Sequence, residues 1–96
     1  MGPPLIRNFH DKDTERFAEG ETIRRFRSFE RVAYRKLKYL AAAGALEDLR
    51  VPPGNHLEAL HGDREGQYTI RINDQWRICF VWNNDGAEKV EIVDYH

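Results

Sequence analysis

The sequence lacks the features that mark several common protein classes. It holds a single cysteine, Cys79, in 96 residues, which excludes a disulfide framework and fits a reducing cytoplasm. Its apolar runs fall far short of the roughly 20 residues that a membrane span needs, and no signal-peptide pattern opens the chain. We therefore expect one domain over residues 5–96 with no membrane partner, and residues 1–4 as a disordered leader or a cloning remnant.

Metal and nucleophile chemistry find little support in the residue types. His56 and His61 lie five residues apart with Glu58 between them, a spacing that fits neither a zinc knuckle nor a histidine pair on one helix face. Cys79 falls inside a predicted strand, where a packed small side chain is the expected role. There is no glycine-rich phosphate loop either. We expect no metal ion and no cofactor.

The nearly neutral chain concentrates its positive charge in one block. Residues 24–38 hold seven arginines and lysines against one glutamate, although the formal net charge of the whole chain is −1. At about 100° per residue, five of these side chains fall on one side of a helix: Arg24, Arg27, Arg31, Arg35 and Lys38. We call them the basic stripe. It is either a solvated face or a surface for RNA, the ribosome or an acidic protein.

Hydrophobic periodicity predicts an α+β domain. The predicted elements are a strand over residues 5–9, helices over about 10–20 and 28–44, a helical turn at 45–51, and strands over 67–73, 76–82 and 88–94. Ser28 is the predicted cap of the second helix, although that helix can also begin a turn earlier. The result is a small, mainly antiparallel sheet of about four to five strands with two N-terminal helices packed on one face.

The hairpin between residues 67–73 and 76–82 has a register that the pattern determines. A two-residue loop would place Ile70 opposite Arg77 and mix apolar with polar faces. A three-residue loop over residues 73–75 pairs Ile70 with Ile78 and gives one apolar face. The other face then places Arg71 opposite Arg77, which is unfavourable unless an anion or a carboxylate is nearby. The next hairpin turns at residues 84–86, and the pattern leaves its register open.

The remaining polar residues favour acid–base chemistry. Cleavage of RNA needs a base for the 2′-hydroxyl proton, an acid for the leaving oxygen and cations for the charged phosphorane. The candidates lie in segments that a small sheet can bring to one side: Glu58, His61, Arg64, Arg77, Asp94, Tyr95 and His96. Each also has a simpler explanation, as a solvated loop residue, a surface ion pair or part of a frayed terminus.

Three segments carry a resemblance to a known family. The run Leu-His-Gly-Asp-Arg-Glu-Gly at residues 60–66, the triplet Trp-Arg-Ile at 76–78 and the closing Asp-Tyr-His at 94–96 resemble the HigB-type toxins of the RelE/ParE superfamily. The order of strand, two helices and sheet agrees as well, so the resemblance spans residues 5–96. It implies a metal-independent, ribosome-dependent mRNA endoribonuclease from a type II toxin–antitoxin system. It also implies a HigA-type helix-turn-helix antitoxin, through which alone the toxin would reach operator DNA.

The resemblance also implies roles for individual residues. Arg77, the arginine after the tryptophan, would hold the scissile phosphate, and Tyr95 or His96, beside Asp94, would handle protons. Glu58 and His61 stand where some members carry a histidine and a lysine, which leaves the assignment of base and acid open. Apart from the resemblance, the pattern of positive charge predicts which residues bind substrate: Arg31, Arg35, Lys38, Arg64 and Arg71.

Two other functions stay open at this point. Some members of the superfamily poison gyrase and cleave no RNA, but they typically lack the loop acid–base group and the Asp-Tyr-His ending. The chain could also be a module that only binds a partner protein, since Glu58 and His61 depart from the family pattern.

Overall fold

The computed structural model describes residues 6–84 and 86–95. The predictions for residues 1–4, for the first residue of the N-terminal strand, for Asp85 in the second hairpin and for His96 lie outside these residues. The described chain combines two α-helices, four short 3-10 helices and a four-stranded antiparallel sheet, in agreement with the predicted α+β class. Within the described ranges, no helix is both long and apolar enough to cross a membrane.

Helix α1 spans Lys12–Ala18 and begins at the predicted place. Asp11 caps it, because one side-chain oxygen accepts a hydrogen bond from the Thr14 backbone N–H at 3.1 Å. The side-chain hydroxyl of Thr14 accepts a hydrogen bond from the Ile92 backbone N–H at 3.1 Å. This buried contact ties the helix to the last strand of the sheet.

Helix α2 spans Glu30–Ala42 and follows directly on a 3-10 helix over Arg24–Phe29. The predicted cap at Ser28 is wrong, because this residue lies inside the 3-10 helix and the helix has no side-chain cap. The chain already winds helically as it enters α2, so the 3-10 turn takes the place of a side-chain cap. The helical region therefore begins about one turn earlier, which the pattern also allowed.

The sheet has the strand order β1-β2-β3-β4, in which each strand pairs with its sequence neighbour. The strands are β1 Glu58–Ala59, β2 Gln67–Arg71, β3 Trp76–Asn83 and β4 Gly86–Asp94. The predicted register is confirmed, since Ile70 pairs with Ile78 and Arg71 with Arg77. Strand β1 lies in what the sequence predicts as a polar loop, because two exposed residues carry no alternation to detect.

Residues 6–9 run parallel to β4 but form only two isolated bridges, Ile6 with Ala87 and Phe9 with Val90. The predicted fifth strand is therefore not confirmed. Lys89 lies between the two bridges with a φ of +54°, which interrupts the extended edge of β4. The Asn8 side chain accepts the Lys89 backbone N–H at 2.7 Å in place of a ladder carbonyl.

The core joins the helices to the sheet. One cluster of buried residues contains Phe17, Phe26, Phe29, Ala33, Leu37, Leu40, Ile70, Ile72, Ile78, Phe80, Val90 and Ile92. Trp76 packs against it with ring centroids 5.8 Å from Phe26 and 4.8 Å from Phe29. The apolar face predicted for the first hairpin therefore lies in the core, with Trp76 and Tyr68 partly buried at its rim.

Lys36 is buried, unlike its neighbours on the basic stripe. Only 6% of the surface of Lys36 is exposed, and its ammonium donates a hydrogen bond to Asn55 Oδ1 at 2.6 Å. Asn55 is fully buried and donates in turn to the carbonyls of Leu49 at 3.1 Å and Val51 at 3.3 Å. This contact ties α2 to residues 49–55, the segment that leads into β1.

Burial, followed by the charges of Arg35 and Arg71, lowers the pKa of Lys36 below its usual 10.5. Between the lowered pKa and 10.5 the unfolded chain binds more protons, so the free energy of unfolding should rise with pH across this window. Urea denaturation of the protein and of Lys36→Met over that range tests this. The stability of the unsubstituted protein should improve relative to Lys36→Met as pH rises, and parallel pH profiles would contradict the prediction.

Candidate functional site

One side of the sheet carries polar residues instead of the core. Cross-strand partners share a face, and Glu58 pairs with Thr69, Thr69 with Cys79, and Cys79 with Glu91 across all four strands. Two residues further along, Arg71 pairs with Arg77. None of these residues belongs to the main core cluster. We call this side the polar face, and it divides into two halves.

The first half of the polar face is closed by an ion pair. The Arg64 guanidinium donates to Glu91 Oε1 at 3.2 Å and to Gln67 Oε1 at 3.0 Å. Arg64 ends a 3-10 turn bounded by two glycines whose positive φ angles suit a tight loop, +68° at Gly62 and +92° at Gly66. The charge of Arg64 is thus already matched inside the protein, and its predicted role in binding substrate stays a prediction.

Thr69 and Cys79 lie fully buried in this closed half. Burial raises the pKa of the Cys79 thiol, and the hydrogen bond from its sulfur to the Thr69 hydroxyl, 3.9 Å long, opposes this only in part. A thiol held in its protonated form is a poor nucleophile. Cys79 therefore has the packing role that the sequence suggests.

The second half of the polar face holds Arg77. Its guanidinium donates to the backbone carbonyls of Asn73 and, at 3.3 Å, of Trp76. Its central carbon lies 5.4 Å from the centroid of the Tyr95 ring, within the range of a cation–π contact. In the described part of the chain Arg77 forms no ion pair, since its partners are two backbone carbonyls and the Tyr95 ring. Its positive charge remains available to an anion.

Arg71, directly opposite Arg77, is compensated in a different way. Its guanidinium forms an ion pair with Asp74, whose side chain is 95% exposed. A carboxylate therefore lies beside the two opposed arginines, and it forms its ion pair with Arg71. Because this pair is solvated, it is worth little in free energy and can open to a phosphate at small cost.

The C-terminal residues reach the same half of the face. Asp94 pairs with Trp76 at the end of β4, and the Tyr95 backbone N–H donates to the Gln75 carbonyl at 2.6 Å. Tyr95 keeps 40% of its surface exposed. The chain is thus held by hydrogen bonds as far as Tyr95, while the predicted role of His96 lies outside the described residues.

Glu58 and His61 border the polar face from the β1 side. Glu58 is exposed and shares this face with Thr69. Glu58 lies two strands away from Arg77 and is offset from it by two residues along the strands. The usual spacing between strands and the usual rise per residue then put their backbones about 12 Å from each other. Two long side chains leave room for a phosphate group between them. His61 is exposed at the start of the turn that carries Arg64.

The basic stripe is exposed along its whole length, at Arg24, Arg27, Arg31, Arg35 and Lys38. Arg35 and Arg71 both lie within electrostatic reach of the Lys36 ammonium. Positive charge therefore continues from α2 towards the strand that carries Arg71. The first part of the stripe lies on the 3-10 helix and not on α2 itself.

Several residues of this site escape detection in the sequence. Asn73 and Gln75 contact Arg77 and the C-terminal residues, yet a hairpin loop of this composition looks like an ordinary turn. Glu91 falls on the polar face only once the register of β3 and β4 is known, and a bulge between Cys79 and Val81 obscures that register. Among the described residues, no three His, Cys, Asp or Glu side chains lie close enough to hold a metal ion.

Together these features define a class: a small α+β domain in which the polar face of the sheet presents a positively charged arginine beside a tyrosine near the C-terminus. Comparison with known proteins gives the family. The family model for HigB-like toxins, described as the RelE-like toxin of type II toxin-antitoxin system HigB, matches residues 7–96. The chain belongs to this family.

Two named relatives agree with this assignment. The chain is 42% identical over 90 residues to Toxin HigB-1 of Vibrio cholerae serotype O1, which covers 92% of this chain and 94% of the relative. It is 42% identical over 40 residues to Endoribonuclease HigB of Proteus vulgaris, covering 42% of this chain and 44% of the relative. The chain is also 40% identical over 55 residues to an uncharacterized protein of Haemophilus influenzae, which covers 57% of this chain and 54% of the relative. A toxin of a type II system implies an antitoxin partner.

Proposed function

We propose that the protein is a ribosome-dependent mRNA endoribonuclease whose site is the Arg77 half of the polar face. The observation that carries this proposal is the state of Arg77: it is half-buried on the polar face, its hydrogen-bond partners are neutral, and its central guanidinium carbon lies 5.4 Å from the Tyr95 ring centroid. The name of the Proteus vulgaris relative, Endoribonuclease HigB, supports the same activity. The reaction takes place in the cytoplasm, where messages are translated.

Arg77 stabilises the phosphorane in this proposal. The 2′-oxygen of the RNA attacks phosphorus, the bond from phosphorus to the 5′-oxygen breaks, and a 2′,3′-cyclic phosphate and a 5′-hydroxyl result. Negative charge on the non-bridging oxygens grows as phosphorus becomes five-coordinate, and a guanidinium placed in advance stabilises that charge without reorganising. The neutral partners of Arg77 fix its direction while leaving its charge uncompensated.

Proton transfer falls to groups on either side of Arg77. Glu58 or His61 on the β1 side and Tyr95 or His96 on the C-terminal side would share the tasks of base and acid. A base and an acid on opposite sides of the phosphate suit an in-line displacement, in which the 2′-oxygen attacks phosphorus opposite the departing 5′-oxygen. The carboxylate of Asp94, which accepts a hydrogen bond from Gln75 at 3.1 Å, orients the C-terminal residues.

The basic stripe extends the RNA path beyond the cleavage point. Its charges at Arg31, Arg35 and Lys38 are exposed, and Arg35, like Arg71, acts electrostatically on the Lys36 ammonium. Contacts of this kind go to phosphates and carry no sequence information. They would hold the message, or ribosomal RNA beside it, while codon choice is made elsewhere.

Removing three charges of the stripe should weaken RNA binding without abolishing cleavage. In Arg31→Ala/Arg35→Ala/Lys38→Ala we expect KM to rise and the salt dependence of binding to fall by about one in slope for each lost phosphate contact. Affinity for ribosomes programmed with message, measured over a series of salt concentrations, checks this. An unchanged salt slope would mean that the stripe is only solvated surface.

A HigA-type helix-turn-helix antitoxin completes the proposal, and the protein would reach operator DNA only through it.

Inducing expression of the protein in growing cells tests both the proposed activity and the proposed antitoxin. We expect growth arrest with the protein, none with Arg77→Ala, and no arrest when the antitoxin is co-expressed. If growth stops while messages stay intact and plasmid supercoiling collapses, the gyrase alternative is correct. A protein that binds antitoxin but never arrests growth would be a binding module.

A further inference from the structure

The loop between β2 and β3 contacts both partners of the Arg77–Tyr95 pair. At its start, the Asn73 carbonyl accepts a hydrogen bond from the Arg77 guanidinium. At its end, the Gln75 carbonyl accepts the Tyr95 backbone N–H at 2.6 Å. The Gln75 side-chain amide also donates to Asp94 Oδ2 at 3.1 Å. The loop over residues 72–75 therefore contacts both the arginine and the C-terminal residues.

The loop is itself well ordered by local hydrogen bonds. Asn73 Oδ1 accepts the backbone N–H groups of Gln75 at 2.9 Å and Trp76 at 2.8 Å. The Ile72 and Asn73 N–H groups both donate to the Trp76 carbonyl, at 3.0 and 3.2 Å. An asparagine side chain that bonds to the backbone two and three residues ahead stabilises a turn. The loop can therefore act as a rigid support.

Strand pairing alone does not hold Tyr95. The last pair between β3 and β4 is Trp76 with Asp94, and β3 begins at Trp76. Beyond this last pair, the Tyr95 backbone N–H donates a hydrogen bond to the main-chain carbonyl of Gln75 in the loop. This bond extends the attachment of the C-terminal segment by one residue. The Gln75 side chain adds a second attachment at Asp94.

We infer that Gln75 is a positioning residue: its side chain holds Asp94 where the next residue, Tyr95, reaches the main-chain carbonyl of position 75 and lies against Arg77. In its catalytic consequence the inference rests on the proposed function, but the positioning itself does not. The chemistry of the side chain is specific: an amide donates to the Asp94 carboxylate, whereas a carboxylate at the same place would repel it.

Amide hydrogen exchange at Tyr95, measured by NMR on the full chain, tests the inference directly. In Gln75→Ala we expect exchange of the Tyr95 amide to be roughly threefold to tenfold faster, the range for one lost exposed hydrogen bond. Gln75→Glu should have the larger effect, because it sets two carboxylates side by side. The double variant Gln75→Glu/Asp94→Asn exchanges donor and acceptor and should restore slow exchange. The matched control is Asn83→Ala, which removes an exposed side-chain amide from the hairpin between β3 and β4.

The catalytic consequence is measured separately. With ribosome-bound message, Gln75→Ala should lower kcat roughly tenfold at nearly unchanged KM, because misplaced groups slow the reaction more than they weaken binding. If the Tyr95 amide exchanges at one rate in the unsubstituted protein and all four variants, or if kcat of Gln75→Ala matches that of Asn83→Ala, the inference is wrong. If the unsubstituted protein cleaves nothing but exchange follows the expected order, the positioning role stands and the proposed nuclease function fails.

Discussion

Arg77→Ala should lower the rate of RNA cleavage by about 10²–10³-fold, the usual cost of removing one group that stabilises a transition-state charge. The loss should appear in kcat, since the guanidinium acts on charge that develops only as phosphorus becomes five-coordinate. Rates are measured on ribosomes programmed with a defined message. Folding should survive, because Arg77 is only half-buried, its carbonyl partners keep access to water, and its removal also takes away the cation opposite Arg71.

Arg71→Ala is the matched control for this experiment. It removes the same side chain from the directly opposed position on the same face, but one whose charge Asp74 already pairs. We expect a reduction of less than about tenfold, mostly in KM, as for a surface contact to phosphate. Equal losses in the two variants would mean that the face binds RNA only through its summed charge and that Arg77 has no special role.

Asn55→Ala should lower the free energy of unfolding by about 3 kcal/mol or more. It removes a charged hydrogen bond at 2.6 Å and two bonds to backbone carbonyls, and it leaves the Lys36 ammonium buried without its acceptor. A loss of this size is a large share of the 5–15 kcal/mol that typically stabilises a domain. Urea denaturation at pH 7 measures it.

Lys36→Met supplies the control, because it keeps the apolar length of the side chain and removes the buried charge. Alone it should cost about 1 kcal/mol, from the one acceptor it leaves unpaired at Asn55. Combined with Asn55→Ala, it should recover part of the loss, since no buried ammonium remains to be compensated. Strict additivity of the two changes would show that they do not interact and would contradict the structure.

The fold follows from the sequence where one face is apolar and continuous. The alternation of Tyr68, Ile70 and Ile72 against Trp76, Ile78 and Phe80 allows only one register, and the structure has it. Helix α1 begins beside Asp11 for a local reason, its side-chain cap. The two-residue strand β1 and the isolated bridges of residues 6–9 have no such pattern, because they depend on the edges of the finished sheet.

The site is predicted less completely than the fold. Register alone brings Arg71 and Arg77 together, and the family resemblance adds the C-terminal residues. What the sequence does not show is which arginine is compensated: Arg64 by Glu91, Arg71 by Asp74, and Arg77 by carbonyl oxygens. The buried Lys36–Asn55 contact is equally hidden, since Lys36 belongs by composition to the basic block.

Primer extension on a defined message in a purified translation system tests the central proposal most directly. The protein should produce breaks at defined positions when the message is translated and none when its start codon is removed. Arg77→Ala should leave both messages intact, and Arg71→Ala should cut the translated one. An intact translated message with the unsubstituted protein, or the same breaks with Arg77→Ala, would contradict the account.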